Sequence, residues 1–263
     1  MENGLETLVK TIPKPVLSAI QALQNPRRFS IAILLLESGK QSLSFLGRAT
    51  QSENVALIPQ LNILVESGIV EKELLTRVGK EQYSYYLVTA FGKQLIEVIA
   101  SSVASTRLPM LKALANPLRF ALARHVLASG PISFSGVVAI TGLEKSAVAA
   151  HLGKLEAGGL LEKEFSRDKE SGEYSMYKAT RAAKDVIPRL MLLDQYWKIT
   201  REVKNIAKQE QVLATLREAI MGAGAATDAD FCHEVLDLQR SLVDAMLAAA
   251  DAGEKKAHAK KLA

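Results

Sequence analysis

Between residues 116 and 190 the spacing of apolar positions changes period twice, and each change marks an element boundary. Asn116-Pro117 predicts a helix start, because Asn caps free amides and Pro at the first helical position removes no needed donor. Phe120, Leu122, Ala123, Val126 and Leu127 then recur at helical spacing until Ser129-Gly130-Pro131. A short helix is expected over residues 134–140, closed by Thr141-Gly142. A third, from 145 to 157, carries Val148, Leu152 and Leu155 on one face and stops at Gly158-Gly159. The period then becomes extended. Residues 160–165 predict a strand, 166–172 a charged hairpin tip, and 173–180 the returning strand. Thr180 or Arg181 opens a further helix.

The same pattern occurs earlier in the chain, shifted by about 91 positions. Asn25-Pro26-Arg27-Arg28-Phe29 returns as Asn116-Pro117-Leu118-Arg119-Phe120, and Ser38-Gly39 as Ser129-Gly130. Leu61, Leu64 and Gly68 return as Leu152, Leu155 and Gly159, and Tyr83-Ser84-Tyr85-Tyr86 as Tyr174-Ser175-Met176-Tyr177. Thr89 returns as Thr180. In the first copy strands are expected over 69–75 and 82–88 with a tip at 76–81. Two copies are too few for a solenoid, so the period suits two small domains, each with its own core. The expected division is 1–100 and 101–188 for the two domains, 189–252 for a C-terminal appendage and 253–263 for a Lys-rich tail.

That appendage reads as long helices. Ile199, Val203, Ile206, Leu213 and Ile220 share a face, Gly222-Ala223-Gly224 interrupts, and Phe231, Val235, Leu238, Leu242, Met246 and Ala249 share another. An antiparallel helical hairpin results, with more apolar surface than two helices hide, so a homodimer through these helices is expected.

Charge adds little by itself. The formal net charge is +5 over 263 residues, which is compatible with a nucleic-acid partner and with none. From Val98 to Leu143 there is no acidic residue, while Arg107, Lys112, Arg119, Arg124 and His125 fall in that span. The run suggests a positive surface, the alternative being cations whose stems cover apolar neighbours. The one cysteine, Cys232, excludes an intramolecular disulfide. No apolar run is long enough to span a membrane, and the polar start does not resemble a secretory signal, so a cytoplasmic protein is expected. There is no Gly-rich phosphate loop and no nucleophile elbow, and no two histidines lie four apart. Neither an enzyme nor a cofactor is expected.

The order helix, helix, turn, helix, strand, tip, strand, helix resembles the winged helix-turn-helix domain. Residues 111–120 resemble the opening of ArsR-type transcriptional regulators, and Ser146–Leu152 with Leu155 and Leu160 resemble their recognition helix. Residues 86–93 resemble the strand-to-helix exit of ArsR and MarR relatives. The resemblance covers residues 17–190 and implies a mainly α, α+β fold of two tandem winged helices, with double-stranded DNA as partner. The cysteine pair of metal-sensing ArsR members is missing from Phe134-Ser135-Gly136-Val137-Val138, so no metal is implied.

In such domains the third helix enters the major groove and the wing grips phosphates, which requires hydrogen-bonding side chains on the outward face. In the second copy the candidates are Lys145, Ser146, Ala147, His151 and Lys154, with Arg167 and Lys169 in the wing; a packing role competes for His151. In the first copy Gln51, Asn54, Arg77 and Lys80 are candidates, but Glu53 repels phosphate and Pro59 is expected to kink the helix. Val55, Ile58 and Pro59 on that face suggest a protein interface, or else a register shifted by one that makes them core. The leading expectation is a DNA-binding transcriptional regulator with the second domain as main reader. The alternative is a winged-helix interaction or scaffold protein of a chromosome, transcription-initiation or sorting complex.

Overall fold

The computed structural model describes residues 4–76, 82–102, 104–168 and 172–223. After a short helix α1 (Gly4–Lys10), the first copy runs α2 (Lys14–Leu23), α3 (Pro26–Ser38), β1 (Gln41–Ser42), α4 (Leu43–Ala49), α5 (Asn54–Glu66), β2 (Val70–Thr76), β3 (Gln82–Val88) and α6 (Ala90–Ala100). The second repeats it as α7 (Arg107–Leu114), α8 (Pro117–Ser129), β4 (Ile132–Ser133), α9 (Phe134–Thr141), α10 (Lys145–Ala157), β5 (Leu161–Asp168), β6 (Gly172–Ala179) and α11 (Arg181–Ala223). The described chain is mainly helical with two small antiparallel sheets, ordered β1-β3-β2 and β4-β6-β5.

The repeated landmarks are the residues that begin and end these elements. Asn25 accepts from the Arg27 and Arg28 amides, and Asn116 from the Arg119 amide, so each caps the helix that follows. Gly39 and Gly130 stand past the ends of α3 and α8 with positive φ, as do Gly68 and Gly159 past α5 and α10. Thr89 Oγ1 donates to the Gly68 carbonyl at 2.6 Å and accepts from the Gly92 amide, which ties the end of α5 to the start of α6. Thr180 Oγ1 does the same between the Gly159 carbonyl and the Ala183 amide.

Arg28 and Arg119 occupy the same place in the repeat and do the same work. Arg119 Nε donates to the Ala113 carbonyl at 2.8 Å and its Nη2 to the Lys112 carbonyl at 2.7 Å. Arg28 reaches the Ala22 and Gln21 carbonyls in the same way. These carbonyls lie in the last turns of α7 and α2, where no intrahelical donor remains, so each guanidinium closes the helix before its own.

Several expectations need correction. The two-residue strands β1 and β4 were not legible, since two residues set up no period. Ser42 and Ser133 end them and cap α4 and α9. The second hairpin is longer than expected, β5 reaching Asp168 and β6 starting at Gly172. The expected boundary at 188/189 falls inside α11, which is continuous from Arg181 to Ala223, with Leu190 fully buried and Leu193 nearly so. The first compact unit, which holds both copies, ends at Thr200. The second helix of the expected hairpin, residues 227–249, lies outside the described residues.

Separate cores are likewise not what the packing shows. The buried side chains of both copies form one continuous cluster, from Ile12 to Leu193. Helix α2 packs on α7 and α1 on α8 and α9. Gln21 Nε2 donates to the Ala115 carbonyl at 3.0 Å and Arg124 to the Thr11 carbonyl at 2.9 Å, both across the copies. The apolar faces of α2 and α7 are thereby removed from water against each other, the dominant favourable contribution to joining two small cores.

Candidate nucleic-acid interface

Helix α10 is anchored by Val148, Leu152 and Leu155, spaced four and three apart and each 1% exposed or less. That anchoring fixes what points away. Lys145, Ser146, Ala149, Ala150 and Lys154 are exposed, while Ala147 is half-buried. Lys145 and Lys154 are in no ion pair among the described residues. The turn into α10 passes through Gly142, left-handed at φ 65°, and Glu144 stands at the N-cap without a capping side-chain bond. The first-turn amides of α10 thus receive no capping bond from the Glu144 side chain.

His151 is on the rear edge of the helix. It is half-buried, its Nδ1 is sunk without a hydrogen-bond partner, and burial lowers its pKa, helped by Arg119 and Lys154. This is the environment of a packing side chain.

The equivalent helix of the first copy, α5, is anchored by Leu57, Leu61 and Leu64, all fully buried. Its outward residues are of another kind. Val55 is 79% exposed, Ile58 40% and Ile63 37%, with Pro59 also exposed. A register shift is thus excluded: these residues are surface, not core. Asn54 and Gln51 are exposed as well. Gln51 is the equivalent of Gly142 and adopts the same left-handed turn, φ 49°, strained for a residue with a Cβ. Its position reflects the turn's geometry, a role its polar character concealed.

The structure removes much of the positive surface expected from the acid-free run. Arg119 is 9% exposed and closes α7. Arg107 donates to the Ala100 and Ser102 carbonyls, and Arg124 to Thr11. These guanidiniums bind the protein's own backbone, and Lys112 is left exposed. The β5–β6 hairpin is mixed in charge near its base: Lys178 pairs with Glu162 and Glu164, and Lys163 stands 4.7 Å from the Phe165 ring centroid. In the first copy Lys40, just before β1, pairs with Glu73 of β2. Arg167 is described as a backbone position of β5, and Arg77, Lys80 and Lys169 lie outside the described residues.

Sequence reasoning missed the helix-closing role of Arg28 and Arg119 and the exposure of Ile63. The first was signalled by an Arg in the fourth place of both Asn-Pro-x-Arg-Phe segments. Among the described residues no helix is long and apolar enough to cross a membrane. Compared with known proteins, the chain matches no family model and gives no significant match to a curated protein.

Proposed function

We propose that the chain is a DNA-binding transcriptional regulator built on tandem winged helix-turn-helix domains, with α10 as the main reader. The observation that carries this reading is the outward face of α10. Lys145, Ser146 and Lys154 supply donors, and Ala149 and Ala150 between them are small enough to let the helix approach base edges closely. Thirteen residues span about 20 Å, enough to lie along a major groove. Alanine adds contact with thymine methyl groups, and the wing tips are left to meet phosphates. The C-terminal segment dimerises the chain.

Binding to duplex DNA across a salt series tests the reading. Affinity should fall as salt rises, with a log–log slope of about −0.9 for each phosphate neutralised. Binding that is absent at low salt would reject it. For the dimer, light scattering should give twice the chain mass for the full-length protein and the single mass for a chain ending at Thr200. A cut at 188 would remove Leu190 and Leu193 from the core and test folding instead.

The second reading, a protein-interaction module, is favoured by one observation: the exposed Val55, Ile58 and Ile63 on α5. Under it, duplex binding stays weak and does not depend on Lys145.

A further inference from the structure

The contacts between the two copies follow a rule. Helix α2 meets α7, its own equivalent about 91 positions on. Helix α1 meets α8 and α9, and residues 95–101 at the end of α6, the segment equivalent to α1, line a groove together with α3, the equivalent of α8. There Ile96, Glu97 and Ala100 face Phe29, Ile33 and Leu34 across a groove of about 540 Å³. Ser101, just past α6, donates to Asp185 Oδ2 at 3.3 Å and accepts from Arg189 at 3.2 Å, both in the part of α11 equivalent to α6. Contact of like with like is the signature of a two-fold interface.

From this we infer that the chain is a two-fold dimer closed within itself, in which one of the two symmetry-related reader positions has lost its DNA chemistry. The inference rests on the DNA-binding reading and specifies the partner: each chain recognises a single, non-palindromic block of duplex. Two-fold regulators with two working readers require inverted half-sites about one helical turn apart, since both readers are the same. Here the two positions differ residue by residue. Asn54, Val55, Ile58, Pro59 and Ile63 stand where the second copy has Lys145, Ser146, Ala149, Ala150 and Lys154. An exposed Val, Ile and Pro cannot hydrogen-bond base edges. The internal two-fold is therefore a structural symmetry that the DNA site does not share. When chains associate, each adds one block, with spacing set by the chain-to-chain contact.

The test is selection of duplexes from a random pool by the full-length protein, followed by native mass measurement on the selected duplex. The expected result is one recognition block per bound chain. Lys145→Glu should lower affinity for that duplex by about tenfold or more, and Asn54→Glu should leave it unchanged. Both positions are exposed first-turn sites, and unchanged thermal melting confirms folding of each variant. Two blocks per chain about one helical turn apart, one lost with each variant, would overturn the inference and leave DNA binding standing. A pool with no enriched sequence would overturn sequence-specific DNA reading, and the inference with it.

Discussion

Helices α5 and α10 are equivalent in position, length and anchoring, and they differ in almost everything they present. Each has 13 residues and three buried anchors at the same spacing. Each follows a left-handed turn, through Gln51 in one and Gly142 in the other. Outward, one offers Val55, Ile58 and Ile63 and the other Ser146, Ala149 and Lys154. The fold is thus held by inward positions and turn geometry, which both copies retain. The outward positions contribute little to folding and are free to diverge, so function is carried by the side chains the core does not need.

The comparison breaks first, if it breaks, in the core. Leu61→Ala and Leu152→Ala should each cost about 2–5 kcal/mol and by similar amounts, because both are buried at the same place in equivalent helices. Denaturant unfolding measures this, and a large difference would mean the copies are not packed alike. Arg119→Ala comes next, at about 3 kcal/mol, since it strands two helix-end carbonyls in a buried setting. Arg28→Ala should cost less, because Arg28 is half-buried and water can replace it.

The turns sharpen the comparison further. Gly142→Ala should destabilise by about 1–2 kcal/mol, and Gln51→Gly should stabilise, by a smaller amount because glycine also frees the unfolded chain. Val55→Asp should change thermal stability by less than about 0.5 kcal/mol, as expected of a surface side chain. A larger loss, accompanied by loss of mass in light scattering, would show that this face is covered in the assembled protein.

A pH effect separates the copies at one more position, His151 against Gln60. Burial first, then the nearby Arg119 and Lys154, holds the His151 imidazole below its ordinary value. The folded chain keeps it neutral, and unfolding lets it take up a proton. Its contribution to stability is fully present above the ordinary histidine range near pH 6.5 and is lost as pH falls through that range toward the lowered folded value. In the first copy Arg28 instead donates to Gln60 Oε1 at 3.2 Å. His151→Gln should therefore flatten the decline in melting temperature between neutral and mildly acid pH, without lowering stability at neutral pH.

Much of this fold could be read from periodicity, because amphipathic helices of 13 residues and paired strands leave long, regular signals. The helix over 145–157 and the strand over 82–88 fall where their spacing placed them. What could not be read depended on neighbours distant in sequence. The acid-free run predicts a positive surface, but Arg107, Arg119 and Arg124 donate to backbone carbonyls instead. The two cores looked separate because nothing local announces that α2 will pack on α7. Of the candidate site, the outward set of α10 followed from its anchors, since three buried positions on a helix determine the opposite face. Gln51 did not, because its side chain suggested a ligand while its backbone explains its place.

The asymmetry between the two helices is tested most directly by one paired measurement: the affinity of Lys145→Glu and Asn54→Glu for the same duplex at the same salt. The account predicts that Lys145→Glu loses about tenfold or more and Asn54→Glu retains the affinity of the unaltered protein. Equal losses in the two variants would contradict it, placing both helices on DNA and making the apolar face of α5 part of the reader.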